Sequence, residues 1–333
     1  MVLDCFRNPY FVQARGRQLT RNGVSSLLRG VKTHTQGFSL LEFMLSLSLG
    51  LFLLVALLTF YRQLQLSYRF IMGLSEIPEN AQVALAWISR DIRMTGFIGC
   101  PRLTEVDVAG EKGLTASTSV VGWHQSRSTS GQSIPISSYD KESDVIRIQF
   151  AEAESQHIQL AKKHHIRFQS SQKSGFKVDQ KLLISDCRKA ESFRWGTYHL
   201  RDVYGEDAEL RPLRSIVYYV AKTSRKNQSG LPIYSLHRYD LNGPRGQSRS
   251  LVEGIEKMEI RYGVQTGGAA LDDVWADAVS DWRQVKAVEI ILRSSSIENV
   301  MSKPSQWKAM HKQQDRRLKR EWRQVVMLRA RET

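Results

Sequence analysis

The sequence lacks the short motifs that identify most catalytic sites. It contains no G-x-S-x-G elbow, P-loop, G-x-G-x-x-G or H-E-x-x-H pattern. Serines, histidines and aspartates all occur, but no local arrangement of them is typical of a nucleophile beside its base. We therefore expect no enzymatic activity and no cofactor. The chain also has no repeat of fixed period.

Metal ligands are scarce as well. Only three cysteines occur in 333 residues, and structural zinc takes four ligands. His157, His164 and His165 lie close together in sequence. Adjacent residues of a strand point to opposite faces, so His164 and His165 cannot easily bind one ion together. We expect these histidines to be solvated and predict no metal site.

The chain has a single long apolar run, at residues 38–60. It reads FSLLEFMLSLSLGLFLLVALLTF, and 17 of its 23 residues are apolar. A helix of this length covers about 34 Å, which is enough to cross a bilayer core of about 30 Å. The run therefore predicts a transmembrane span. Glu42 lies one turn inside it, where a carboxylate costs on the order of 2.5 to 3.5 kcal/mol, so it should meet an opposite charge, be protonated or snorkel.

Acidic residues are outnumbered, with 33 Asp and Glu against 48 Lys and Arg. Residues 1–37 hold six basic residues and one acid, so the rest of the chain carries 42 − 32 = +10 of the total +15. Basic residues before a span keep that end in the cytoplasm, which places the residues after the span outside the inner membrane. The basic tail at 315–332 makes DNA contact conceivable through phosphates, although Asp315 and Glu321 interrupt it and a solvated face explains it equally.

Helical periodicity continues beyond the span. Leu64, Tyr68 and Ile71 recur at three- and four-residue spacings, which predicts an amphipathic extension. We expect Gly73 to loosen this helix and Pro78 to break it.

A second helix is predicted over residues 79–94. Val83, Trp87, Ile88 and Ile92 share one face, on which we expect a sheet to pack, with a partner helix as the alternative. Beyond it, residues 101–143 are rich in Ser, Thr and Gly, which predicts loop or loosely held structure.

The period then changes from helical to alternating. Alternation with one polar face is typical of an antiparallel sheet with one solvated side. Strands are predicted at 144–150, 164–169, 180–187, 215–221, 231–239, 255–264 and 285–295. The tail at 315–332 fits a helix as well as a strand by spacing, and the resemblance described below favours the strand.

The start of the apolar run resembles a known processing signal. Gly37 directly precedes it, Phe38 is its first residue and Glu42 its fifth, as in the class III leaders of type IV pilins and type II secretion pseudopilins. The resemblance implies that a prepilin peptidase cuts after Gly37, that Phe38 is then N-methylated, and that its amine pairs with Glu42, which sets subunit register. A start at Val31 would shorten the 37-residue leader to seven residues.

Later segments narrow the resemblance. RDIRMTGFIGC, LISDC, IVYYVA, LVEGIEKMEIRYGV and DRRLKREWRQVVMLRARE are similar, in that order, to the PilW family of type IV pilus minor pilins. This implies a pilin-like α+β fold, with a leader at 1–37, a helical region at 38–95 and a periplasmic β-rich domain at 96–333. It also implies a single-pass inner-membrane protein that later joins the pilus, or fimbrium, at the cell surface. Its partners would be the major pilin and other minor pilins, with which it would initiate assembly at the tip.

If residues 1–37 are removed as a leader, Cys5 is lost with them. Cys100 and Cys187 then remain as an even pair in an oxidising compartment. A bridge between them would close a loop of about 87 residues and stabilise the fold by roughly 4 to 5 kcal/mol on loop-closure entropy alone. Two separate buried thiols are the alternative.

Two other functions fit parts of the sequence. A type II secretion pseudopilin of the J type shares the leader and the sheet plan. A bitopic membrane protein with a periplasmic DNA- or anion-binding domain would share the span and the positive charge.

Overall fold

The computed structural model describes residues 37, 39–106, 108–110, 114–128, 131–169, 175–197, 199–243, 248–267, 270–301 and 315–329. It separates the chain into two compact units, Met1–Thr59 and Phe60–Thr333. The leader before Gly37, including Cys5, and the predicted first mature residue, Phe38, lie outside the described residues.

A single helix, α1, runs from Leu40 to Met94 and contains Pro78. The predicted break at Pro78 is therefore wrong. Proline inside a helix removes one backbone hydrogen bond and costs about 3 kcal/mol. Ile77 and Ala81, on either side of it, are completely buried, so packing of this turn offsets the local cost.

The buried face of α1 differs in part from the predicted stripe. Ile88 and Ile92 are fully buried as expected, but Val83 and Trp87 are 43% and 42% exposed. The packed face instead contains Ala81 and Ala84, because small side chains allow the helix backbone to come close to the strands. The buried positions of α1 are Gly73, Ile77, Ala81, Ala84, Leu85, Ile88, Ser89, Asp91 and Ile92.

The larger sheet has ten strands and is antiparallel except where β1 pairs with β7. Its centre is the long β8, which pairs with β4 and β6 through its first residues and with β3 and β9 through the rest. The strands are β1 (Val108–Gly110), β2 (Val120–Trp123), β3 (Val145–Ala151), β4 (Gln156–Lys162), β5 (His165–Phe168), β6 (Lys181–Ser185), β7 (Ala190–Arg194), β8 (Glu209–Lys226), β9 (Pro232–Asp240) and β10 (Ser248–Glu253).

The smaller sheet has four antiparallel strands in the order β12-β11-β13-β14. These are β11 (Ile255–Val264), β12 (Asp272–Trp275), β13 (Val285–Ser295) and β14 (Lys319–Met327). Two short 3-10 helices, Ala276–Ala278 and Trp282–Gln284, connect β12 to β13. All eight predicted strands are present, including the strand in the basic tail, and the predicted α+β fold is confirmed.

The region predicted as loop, residues 101–143, contains two strands and part of the core. In β2, Val120, Val121 and Trp123 are at most 2% exposed. Gly122 lies against the ring of Tyr262 so closely that an added Cβ would fall 1.8 Å from the tyrosine oxygen. The expectation of loose structure failed because four well-placed residues suffice to join a core even when their surroundings are rich in Ser and Gly.

The main core joins the last third of α1 to both sheets. Ala84, Leu85, Ile88 and Ile92 of the helix pack in one cluster with residues of β2, β3, β8, β11 and β13. The helix end is therefore an integral layer of the globular fold.

Candidate functional site in the N-terminal helix

The first turn of α1 is closed by two reciprocal hydrogen bonds. The backbone N–H of Glu42 donates to Ser39 Oγ at 3.2 Å, and the N–H of Ser39 donates to Glu42 Oε2 at 3.0 Å. This arrangement is a capping box, in which two backbone donors at the helix start are satisfied by side chains. Sequence analysis missed Ser39, although the letters S-L-L-E match the S-x-x-E signature of this cap.

Glu42 therefore has a local partner in the uncut chain. Gly37, the predicted cleavage residue, is exposed, and no atom lies within 4 Å of the position that a Cβ would take there. Phe38 is outside the described residues, so the pairing of its amine with Glu42 stays a prediction. The cap holds the carboxylate at the N-terminal end of the helix, where the helix dipole also favours negative charge.

The apolar part of α1 satisfies its own polar groups. The hydroxyls of Ser46, Ser48 and Thr59 donate to backbone carbonyls three residues earlier, at 2.8 to 2.9 Å. Since these groups need no water, the segment suits a hydrocarbon environment. By length and composition α1 is a helix that could span a membrane, and none of its most apolar stretch is buried within the protein. This fits the single-pass anchor predicted from sequence.

One side of this segment carries a shallow groove of about 470 Å³ around Gly50. Phe43, Ser46, Leu47 and Leu54 form its walls, and nothing lies within 4 Å of the position that a Cβ on Gly50 would occupy. Small residues one turn apart let helix backbones approach each other in lipid. The groove therefore offers a contact surface to another helix.

Cys100 and Cys187 form the predicted disulfide, with their Cα atoms 4.9 Å apart. The bridge fastens the turn after α1 to the segment that follows β6. Ser185 Oγ also donates to the Ile98 carbonyl at 2.6 Å. Gly99, between Ile98 and Cys100 in sequence, has φ +105°. A Cβ there would come 2.7 Å from Ser185 Oγ, so only glycine fits.

A buried carboxylate anchors the end of α1 to the larger sheet. Asp91 accepts hydrogen bonds from the Tyr218 hydroxyl at 2.7 Å and from Arg238 Nε at 2.9 Å. Burial and the nearby Asp91 charge raise the pKa of Tyr218, so the phenol remains a donor. A second bond ties α1 to the smaller sheet. Ser89 Oγ on the helix donates to the side chain of Gln324 on β14 at 3.0 Å. Sequence analysis missed this anchor, because its members are more than 100 residues apart.

Comparison with protein families gives a match to the later part of the chain. Residues 217–330, about a third of the chain, match the family of type IV pilus-assembly protein W. This part of the chain is similar to the PilW family. No curated protein and no solved structure matches the chain.

The match confirms the family predicted from sequence and, with it, a role in type IV pilus assembly. It covers most of β8 and all of β9–β14, so it contains the smaller sheet and the anchor residues Tyr218 and Arg238. PilW is a family of pilus-assembly proteins rather than of enzymes.

Two of the histidines considered as metal ligands, His157 and His164, make contacts at the surface. His199 Nδ1 lies 3.0 Å from His164 Nε2, and His157 Nε2 lies 3.7 Å from Glu209. His164 was predicted to begin a strand, but it lies in the turn before β5. Among the described residues, no three His, Cys, Asp or Glu side chains come together as metal ligands.

The glycosylation sequon at Asn227 is a structural element. Asn227 is 6% exposed, and its side-chain oxygen accepts the N–H groups of Ser229 and Leu231 at 3.0 and 2.8 Å. The buried amide holds a turn, so this N-x-S match has a structural role in the fold.

Proposed function

We propose that this chain is a minor pilin, which helps to initiate the assembly of type IV pili and is incorporated into them at the tip. The observation that carries the proposal is the continuous helix α1, whose residues from Leu40 to Met72 are all exposed. Such an apolar surface requires lipid or other helices around it. The PilW match supports the pilus as the assembly that supplies those helices.

The proposed path begins with an anchored precursor. The chain is inserted once in the inner membrane, with the leader in the cytoplasm and the residues after the span in the periplasm. A prepilin peptidase cuts after Gly37, and the new terminus at Phe38 is N-methylated. The helix then leaves the bilayer for a bundle made with other minor pilins and the major pilin, so the same apolar surface serves as lipid anchor and later as filament core.

In this scheme Glu42 exchanges its partner when the leader is removed. Before cleavage its carboxylate accepts from the Ser39 N–H. After cleavage it pairs with the amine of Phe38, in its own chain or in a neighbouring subunit. A buried ion pair adds little net stability, but an unpaired member costs roughly 3 to 5 kcal/mol, so misaligned subunits are rejected.

Three substitutions separate the cap from the charge. Glu42→Gln keeps a capping side chain and removes the charge, Glu42→Ala removes both, and Ser39→Ala weakens the cap and keeps the charge. We expect all three precursors to insert in the membrane, and both Glu42 variants to be depleted about tenfold or more from sheared pili. Ser39→Ala should be incorporated close to normally. Normal incorporation of Glu42→Gln would refute the register role.

Two further measurements test the rest of the proposal. N-terminal sequencing of the product from membranes and from pili should begin at Phe38. Deletion of the gene should strongly reduce the number of surface pili seen by electron microscopy, and the intact gene should restore them. A different N-terminus would contradict the processing step, and unchanged piliation would contradict the initiating role.

The family description favours the pilus over the related secretion system. A J-type pseudopilin of type II secretion shares the leader and the sheet plan, but the matched family is described by pilus assembly. Loss of pili with normal protein secretion in the deletion strain is the expected result. Cleavage after Gly37 would distinguish a minor pilin or a pseudopilin from a bitopic protein with a periplasmic binding domain.

A further inference from the structure

A cleft of about 770 Å³ opens beside the end of α1. It is lined by the last turns of the helix, by β3 and the residues after it, by β8, β9 and β10, and by Arg329 after β14. The cleft lies wholly within the unit Phe60–Thr333. Six arginines line it, which is an unusual concentration of positive charge in one concave site.

Two of the six arginines are neutralised by the protein itself. Arg214 forms ion pairs with Glu152 and with Asp240, and Arg238 forms one with Asp91. The cleft wall therefore already binds carboxylates through guanidinium groups, in the charge-assisted geometry that arginine favours.

The other four arginines have no such partner. Arg90, Arg93, Arg249 and Arg329 are exposed, and none of their side chains forms an ion pair or a hydrogen bond in the part of the chain that the structure describes. Two of them stand on α1, one on β10 and one after β14, so three separate elements bring them to the same cleft. A multivalent anion would satisfy them together.

The lining also contains apolar groups that a simple salt site does not need. Trp87 is 42% exposed, and Met94 and the buried Phe150 also line the cleft. Exposed tryptophan with methionine and arginine is the composition that is enriched at protein interfaces. This mixture suits a peptide that alternates acidic and apolar side chains.

Carboxylates in the same lining argue against a nucleic acid. Glu152, Glu154 and Asp240 face the cleft beside the arginines. A phosphate backbone carries a charge at every nucleotide and would meet these acids, whereas a peptide can place a few carboxylates at the free arginines and uncharged residues elsewhere. We infer that this arginine cleft is a docking site for an acidic, partly apolar segment of a partner protein. The inference rests on the cleft alone and does not depend on cleavage at Gly37.

Binding of a defined probe to the full chain in detergent micelles tests the inference. The probe is a dye-labelled peptide that alternates glutamate with leucine and phenylalanine, and fluorescence anisotropy reports its affinity. We expect Arg90→Glu with Arg249→Glu to weaken binding about tenfold or more. The control is Arg167→Glu with Arg320→Glu, which makes the same charge change at two exposed arginines outside the cleft lining. It should change the affinity less than about twofold.

A second arm tests the apolar part. A peptide with serine in place of leucine and phenylalanine should bind about fivefold more weakly, and Trp87→Ala should abolish this difference. A single-stranded oligonucleotide is the competing probe. If it binds more tightly than the peptide and shows the same sensitivity to the cleft variant, the ligand is a nucleic acid and the inference is wrong. Equal loss in the cleft variant and in its control would show that the cleft is not a site.

Discussion

The two halves of α1 share one helical backbone but have different surroundings. Every residue from Leu40 to Met72 is exposed, whereas nine residues between Gly73 and Ile92 are buried. The first half carries the apolar run up to Phe60 and the more polar turns that follow it, and the second has one packed face with charged residues on the other. The first half is thus built for neighbours outside the chain, and the second for neighbours within it.

The difference teaches how one helix can serve two purposes. The second half is fixed to both sheets by the core, by Asp91 and by Ser89, so it orients the domain. The first half has no comparable tie in the part of the chain that the structure describes. In the proposed function, this half exchanges lipid for protein neighbours while the second half stays packed in the domain.

The largest expected effect breaks the anchor of the second half. Asp91→Ala leaves the Arg238 guanidinium without its carboxylate and leaves the buried Tyr218 hydroxyl with only the longer bond to the Trp87 carbonyl, at 3.4 Å. We expect it to lower the free energy of unfolding by about 4 kcal/mol, because it breaks a buried ion pair. Denaturant unfolding of the full chain in micelles measures this loss. Glu79→Ala, at an exposed position of the same helix, should change it by less than about 0.5 kcal/mol. Equal effects in the two variants would contradict the anchor.

A smaller effect compares the halves directly with one residue type. Ile88 is completely buried and Ile71 is 61% exposed on the same helix. Ile88→Ala should lower the free energy of unfolding by about 3 kcal/mol, because it removes packed methyl groups and leaves a cavity. Ile71→Ala should lower it by less than about 0.5 kcal/mol. The same unfolding measurement checks both, and a large loss in Ile71→Ala would show that the first half also packs within the chain.

Local patterns were enough to predict much of this protein. The apolar run, the misplaced charge of Glu42 and the strands with alternating side chains are each visible within about ten residues. The pairing of Cys100 with Cys187 followed from their number and from the expected compartment.

What sequence reasoning missed depends on neighbours that are remote in sequence. The helix continues through Pro78 because the turns around it are buried, and no local signal shows that burial. The packed face includes Ala81 and Ala84 rather than Val83 and Trp87, because the space available against the sheets decides which side chains fit. The arginine cleft likewise exists only after folding brings α1, β10 and the tail together.

The last prediction uses acid to separate the halves. Between Leu40 and Met72 the only acidic residue is Glu42, whereas the domain holds buried acids whose pKa values are shifted in opposite directions. In the domain, Asp144 is 2% exposed, and burial raises its pKa to about 6. Burial alone would also raise the pKa of Asp315, but hydrogen bonds from Arg317 and Lys319 outweigh it and lower the pKa to about 2.

The two shifts have opposite consequences for stability. Because folding raises the pKa of Asp144, its contribution grows as pH falls through about 6 towards the unfolded value near 4. Because folding lowers the pKa of Asp315, about 2 kcal/mol of stability is present above pH 4 and is lost as pH falls towards 2. The free energy of unfolding, followed by the β-sheet signal, should therefore be highest between about pH 4 and 6. Asp144→Asn should remove the rise between pH 8 and 5 and keep the loss below 4, and an unchanged rise in this variant would assign it to other groups.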